Sequence, residues 1–257
     1  MTKPAIRPGD IFQLGEHLLL CGDCRDAGMI AKFIGSRKIA LVLTDPPYGI
    51  AYVEGKANFL KGKVKHMPIA NDHLQSDESY RMFTRSWLEA VRPFLTRMNA
   101  AYIFGSDKML FALRDGMADA GWRFGQLLIW IKQAAVLGRL DYLPMHELIC
   151  YGWHGVHEFR KAKDKSVLFH PKPTKSVAHA TMKPVGLLRR LILNSSRIGD
   201  IIYDPFVGSG STLLAAEQTR RRCLAVEIAP GHCRTTIERF TKLTGIESKK
   251  ISLTIHA

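Results

Sequence analysis

The sequence predicts an α/β protein built on a mostly parallel, doubly wound sheet. Three observations carry that reading. Apolar, β-branched runs short enough for strands alternate with helical patterns along the chain. One of these runs is followed by a glycine turn and then a helix. No break in composition separates a second domain within the 257 residues, enough for one large core and short for two.

In chain order, "EHLLLCGD" (16–23) reads as a strand and "AGMIAKFIGS" (27–36) as a short helix. "KIALVLTD" (38–45) is an apolar, β-branched run, suited to a central parallel strand with both its faces covered. Residues 51–77 lose periodicity and form a long basic loop with Lys56, Lys61, Lys63, Lys65 and His66. A helix over "ESYRMFTRSWLEAVRPFL" follows, then a strand "AAYIFGS", a helix "DKMLFALRDGMADAG", and strands "GQLLIWIK" and "HELICYGW". Residues 158–181 read as a second irregular stretch, with Arg160, Lys161, Lys163, Lys165, Lys172 and Lys175 against a single acid, Asp164, between 160 and 175. Pro171 and Pro173 keep it out of regular structure. The chain closes with an amphipathic helix "PVGLLRRLILNSS", Pro184 suiting its first turn, then strand "DIIYDP", helix "GSTLLAAEQTRR", strand "RCLAVEI" and helix "GHCRTTIERFTKLTG".

The formal charge is +14, from 37 basic and 23 acidic residues, which points to a polyanionic partner, most often nucleic acid. The two lysine-rich stretches are the natural phosphate contacts. "TRRR" (219–222) is either a further phosphate contact or a solvated corner. Five scattered cysteines, at 21, 24, 150, 223 and 233, do not make a disulfide framework. "CGDC" (21–24) has redox-like spacing but lacks the second ligand pair of a zinc site. No apolar stretch approaches the roughly 20 residues of a membrane helix.

Two motifs carry chemistry. In "IIYDPFVGSGSTLLAAEQ" the glycines Gly208 and Gly210 allow a tight turn and close approach of backbone to a ligand. The third glycine of a dinucleotide fingerprint would fall at 213, where the chain has Leu213, so a pyrophosphate loop is poorly matched. Glu227, at the end of the next strand, can accept both hydroxyls of a ribose. A nucleoside-bearing cofactor without a pyrophosphate is expected, and S-adenosylmethionine fits that description. In "TDPPYGI" (44–50) a carboxylate, Asp45, precedes two prolines, Pro46 and Pro47, and a ring, Tyr48. The Asp45 carboxylate and the Pro46 carbonyl can together accept from the amino group of a nucleobase. That draws its nitrogen toward tetrahedral geometry and frees its lone pair, while the prolines hold the acceptors rigid and Tyr48 stacks on the base. Neither a metal nor a covalent enzyme intermediate is required. The base would have to be flipped out of a duplex, at a cost of roughly a few kcal/mol.

"TDPPYGI" resembles the catalytic motif, and "DPFVGSGST" (204–212) the cofactor motif, of the DNA amino-methyltransferases that modify adenine N6 or cytosine N4. "HATMKP" (179–184) resembles the segment before the cofactor motif in the circularly permuted β class, and "LLLCGDCRD" (18–26) a strand end whose acid, here Asp23, approaches the cofactor adenine. The resemblance implies a Rossmann-like S-adenosylmethionine-dependent fold. It implies catalysis by Asp45, Pro46, Pro47 and Tyr48, and a cofactor pocket formed by Asp23, Asp45, Asp204, Phe206, Gly208, Ser209, Gly210, Ser211 and Glu227, with Thr181 and Lys183 at the methionine carboxylate. Asp45 favours adenine over cytosine, since the cytosine enzymes usually carry Ser there. Residues 51–77 and about 134–181 remain as candidate DNA-recognition elements within a single methyltransferase domain. RNA as substrate and a non-catalytic nucleic-acid-binding subunit stay open as alternatives, as does a homodimer. A cytoplasmic location, in a bacterial, archaeal or phage-infected cell, is expected.

Overall fold

Ten strands form one sheet in the computed structural model of this chain, which describes residues 5–50, 73–135, 141–160, 164–171 and 182–252. They are β1 (Ile11–Leu14), β2 (His17–Cys21), β3 (Ile39–Thr44), β4 (Leu95–Gly105), β5 (Arg123–Ile131), β6 (His146–Trp153), β7 (Val167–Phe169), β8 (Ile201–Asp204), β9 (Arg222–Glu227) and β10 (Lys249–Ile251). Their order across the sheet is β10-β1-β2-β9-β8-β3-β4-β6-β5-β7. The run β2-β9-β8-β3-β4 is parallel throughout, and the antiparallel pairs lie to either side of it.

Helices cover both faces. On one side lie α1 (Ala27–Ile34), α2 (Asp77–Val91) and α3 (Leu110–Asp119), whose Phe33, Trp87, Leu88 and Met117 pack with Val42 of β3. On the other lie α4 (Val185–Ser195), α5 (Ser211–Gln218) and α6 (Pro230–Thr244), whose Leu187, Leu191, Leu213 and Phe240 pack with Leu41 and Leu43. This is why all six residues of β3 are buried and why the first five, Ile39 to Leu43, are continuously apolar. α1 starts where the Asp26 side chain accepts from the Met29 N–H, and α2 where Ser76 accepts from Ser79. Among the described residues no helix is long and apolar enough to cross a membrane.

The structure differs from the sequence expectation at the sheet edges and in the second basic stretch. β1 and β10 have no counterpart in that expectation: β1, though mostly apolar, is only four residues long, and β10 is three residues long with two exposed lysines. Residues 158–181 are not irregular throughout, because the short strand β7 within them pairs parallel with β5; β6, expected as a strand, lies inside the wider 134–181 element. β7 escapes notice because it buries only Leu168.

The turn between β8 and α5 depends on left-handed backbone. Gly208 has φ 54° and Gly210 φ 85°. At Gly210 a Cβ would also lie 2.8 Å from Cγ2 of Thr236 on α6. Gly210→Ala is therefore expected to lower stability by roughly 1–3 kcal/mol, from the left-handed strain and the overlap together. Adding Thr236→Ser should recover only the steric part, as read by thermal denaturation.

Candidate active site

β3 and β8 are parallel neighbours with Val42 level with Tyr203, so the segments that follow them leave the sheet side by side. The Thr44 hydroxyl donates to Oδ1 of Asp204 at 2.7 Å and ties the two strand ends together. The same oxygen accepts from the Phe206 N–H, which turns the chain after β8. One strand further along, Glu227 at the end of β9 accepts from the Gly208 N–H through Oε2, at 2.9 Å, and from the Ala229 N–H through Oε1, at 2.8 Å. Its carbonyl accepts from Gly22, just after β2. Four adjacent parallel strands thus deliver Asp23, Glu227, the glycine turn and Asp45 to one rim of the sheet.

A single cavity of about 290 Å³ joins them. From the catalytic motif its wall takes Asp45, Pro46, Pro47 and Tyr48, and from the cofactor motif Asp204, Phe206, Gly208, Ser209 and Ser211. Asp23, Glu227 and Lys183 complete the predicted residues found there. Phe206 is wedged against Phe83 and Trp87 of α2, each with its ring centroid 5.6 Å away, which gives the cavity an aromatic side. Asp23 is held by Arg25 through both carboxylate oxygens.

Around Asp45 the site is a cluster of alternating charges. Oδ2 of Asp45 accepts from Nζ of Lys183 at 2.5 Å, and Oδ1 accepts from the Tyr48 hydroxyl at 2.7 Å. Lys183 also meets Oε2 of Glu147 at 3.0 Å, and Lys132 meets Oε1 of Glu147 at 2.8 Å. Burial pushes the Asp45 carboxyl above its usual range, and Lys183 only partly offsets this. Burial acts on Glu147 in the same sense, but Lys183 and Lys132 together outweigh it and hold that carboxyl at about 2. Burial opposes the charge on Lys183, yet Asp45 and Glu147 outweigh it, so its ammonium is kept above the usual lysine range. Burial, with the charges of Asp45 and Glu147, keeps Tyr48 protonated. Among the described residues no cation acts on Asp204. Burial raises it to about 6 against the hydrogen bonds from Thr44, Thr212 and the Phe206 N–H.

Not every expected residue reaches the cavity. Gly210 does not line it, and the space beside its Cα is filled by Thr236 rather than left to a ligand. Lys183, expected at the methionine carboxylate, bonds to Asp45 and Glu147. Arg160 and Lys165, expected at phosphates, are not on the cavity wall. The Arg160 N–H donates to the carbonyl of Asn194 at the C-terminal end of α4, and its guanidinium pairs with Glu158. Lys165 follows Asp164, which is taken by Arg190 and Asn194 of the same helix. Lys183 sits just before the other end of α4, about 16 Å away along an eleven-residue helix. Thr181 and the candidate phosphate contacts Lys56, Lys61, Lys63, Lys65, Lys161, Lys163, Lys172 and Lys175 lie outside the described residues.

Sequence reasoning misses Glu147, Lys132, Phe83 and Trp87. The first two lie in "HELICYGW" and "GQLLIWIK", which read as strands and nothing more. A charge at the end of each apolar strand, next to a cavity, is the available signal.

The comparisons agree with this geometry. Residues 39–238 match the N6/N4 methyltransferase family model, described as DNA methylase. The chain is 25% identical to the type II methyltransferase M.HpaI of Haemophilus parainfluenzae, over 88% of its own length and 76% of that protein. It is 26% identical to the type II methyltransferase M2.DpnII of Streptococcus pneumoniae, over 81% and 86% respectively. Its fold is similar to those of M1.HpyAVI in complex with SAM (TM-score 0.63, 20% identity, 86% and 98% coverage) and of the PvuII cytosine-N4-specific DNA methyltransferase (0.66, 14%, 88% and 90%). A putative DNA modification methylase of Thermus thermophilus, complexed with S-adenosyl-L-methionine, has the same fold (0.61, 20%, 94% and 99%). With most of its length matched by the family model and its Asp-Pro-Pro-Tyr and glycine-turn motifs meeting in one cavity, the chain belongs to the N6/N4 DNA methyltransferase family.

Proposed function

We propose that this chain is an S-adenosylmethionine-dependent DNA methyltransferase that methylates the N6 amino group of adenine. The observation that carries the reading is the single cavity shared by the Asp45 carboxylate and the Gly208–Glu227 turn, 160 and more residues apart in sequence.

The residues fit the cofactor. Each oxygen of Glu227 takes one backbone N–H and keeps a second acceptor position for a ribose hydroxyl. Phe83 and Phe206 supply apolar ring surface for an adenine. Asp204, buried without a cation, suits the positive charge of the methionyl end. When bound, S-adenosylmethionine supplies a methyl group activated by a cationic sulfur. The chain's own residues then act on the base. Asp45 and the Pro46 carbonyl accept from the exocyclic amine, which frees its lone pair for attack. The Tyr48 hydroxyl and Lys183 fix the two oxygens of Asp45 in place. The raised Asp45 carboxyl is also suited to receive the proton that the amine sheds. Asp45 at the first position of the motif is what favours adenine over cytosine, by resemblance to the family's adenine enzymes.

DNA contact falls to the basic segments. Ile50 and Met182, the described residues that border residues 51–72 and 172–181, both line the cavity. Lysines carried next to those points would offset the cost of extruding a base.

Asp45→Ala is expected to lower methyl transfer to DNA by roughly 10²–10⁴-fold while cofactor affinity, measured by calorimetry, stays within a few-fold. Nucleoside analysis of the product should return N6-methyladenine; N4-methylcytosine would overturn the adenine assignment. A second expectation concerns Asp204. Its folded pKa of about 6 lies above the ordinary 3.8, so the folded state holds the proton more tightly and stability falls as pH rises between those values. Asp204→Asn should remove that fall, raising the melting temperature at pH 7 and flattening its pH dependence. Cofactor affinity should drop at the same time, as calorimetry would read.

A further inference from the structure

We propose that Glu147, restrained by Lys132, is a positioning residue for methyl transfer: it shares the Lys183 ammonium with Asp45 and so keeps the Asp45 carboxylate a strong enough acceptor for the substrate amine. This rests on the reading of Asp45 as the amine's acceptor and deepens it.

The geometry leaves Lys183 with three partners for its three N–H groups. They are Asp45 at 2.5 Å, Glu147 at 3.0 Å and the Tyr48 hydroxyl at 3.3 Å. The ammonium is enclosed, with its side chain 7% exposed, and it lies 5.0 Å from the ring centroid of Phe104 and 5.6 Å from that of Tyr48. It therefore has no solvent to share its charge with, and its two carboxylates must divide it between them. Glu147 is fixed in turn. It stands on β6 opposite Trp130 of β5, and its other oxygen is held by Lys132, whose backbone N–H is anchored on the Met145 carbonyl. Two carboxylates and two ammoniums make the cluster neutral, and all four line the cavity that the glycine turn shares.

A carboxylate that monopolises a buried ammonium is a poor acceptor for anything else, since the attraction that holds the cation also withdraws charge from the oxygens. Removing the charge of Glu147 would leave Asp45 alone with Lys183 in a cluster of net charge +1. Removing the charge of Lys132 would do the reverse. Glu147 would draw more on Lys183, and Asp45 would be left in a cluster of net charge −1. Among the described residues, the other ionisable groups around Asp45 are Tyr48 on its own loop, Tyr80 of α2 beyond Tyr48, and Asp204 of β8. Lys132→Met contacts none of them, and Glu147→Gln meets only Tyr48, whose hydroxyl lies 3.3 Å from Oε2 of Glu147 and can still donate to a glutamine oxygen there. Asp23, Cys24, Asp107, His146, Glu227 and His232 complete the titratable lining of the cavity among the described residues and are likewise unchanged.

The test is the single-turnover rate of methyl transfer to duplex DNA as a function of pH, with saturating cofactor, for wild type, Glu147→Gln and Lys132→Met. The acid limb of the profile should move down by roughly half a unit or more in Glu147→Gln and up by a similar amount in Lys132→Met. The plateau rate of Glu147→Gln should fall roughly 10–100-fold with cofactor affinity nearly unchanged. Limbs that stay in place, or move in the same direction in both variants, would overturn the proposal, because a purely structural role cannot produce opposite displacements. Should Glu147→Gln fail to fold, the limb of Lys132→Met decides alone: upward supports the assignment, unmoved ends it. A wild type that transfers no methyl to DNA would instead defeat the underlying reading, so the two failures are distinguishable.

Discussion

The hydrogen bond from Thr44 to Asp204 is the contact on which the site depends. It joins the ends of two parallel strands whose residues are 160 positions apart, and it does so in full burial. Parallel pairing puts both carboxyl ends at one rim of the sheet. The hydroxyl then fixes how far apart the two departing loops begin. If that separation changed, Asp45 and the glycine turn would no longer open into the same cavity. The fold places the crevice where strand order turns outward from its middle, as open α/β sheets generally do.

That placement is costly in electrostatic terms. Asp45, Glu147, Lys132 and Lys183 are drawn out of water into a pocket walled by Phe104 and Tyr48, with the Trp130 ring beside Lys132. Such pairs rarely add stability over apolar packing, while loss of one partner typically costs several kcal/mol. The cluster is therefore better understood through its chemistry than through its contribution to folding. Elsewhere the chain uses its acids differently. Asp119, Asp164 and Glu158 are held below the usual carboxylate range by arginines on the outer layers, chiefly Arg81, Arg190 and Arg197. Those pairs are partly or fully in solvent, and they fasten helices and loops rather than tune a site.

Much of this is legible in the sequence, and the limits have physical causes. β3 announces itself because a strand covered on both faces must be apolar at every position. The Asp45–Tyr48 loop is legible because two prolines and an acid have no place in a strand, and the glycine turn because left-handed backbone leaves few other choices. Gly208 and Gly210 look equivalent in sequence, yet one lines the cavity and the other makes room for Thr236, a difference set by where α6 packs. Glu147 and Lys132 are invisible there because each is an ordinary charged residue at the end of an apolar strand. Only the antiparallel pairing of β5 with β6 makes them neighbours, and pairing partners are not written in a strand's own residues. Arg160 shows a different limit. Charge density marks a basic stretch, but it does not say at which end of α4 the stretch will lie.

Three of the carboxylates that line the cavity show how their surroundings divide the labour. Glu147, between two lysines and held at about 2, is a fixed charge that no physiological pH will change. Asp204, raised to about 6 with only hydroxyl and N–H donors, is free to respond to an incoming cation, since nothing positive yet compensates it. Asp45 lies between these cases, pushed up by burial and pulled back by an ammonium it must share. Identical functional groups acquire distinct roles when burial and neighbouring charge drive their proton affinities apart. In this site the division follows from the strand to which each residue belongs: β6 beside the lysine-bearing segments, β8 beneath the glycine turn, and β3, which Asp45 follows, between them.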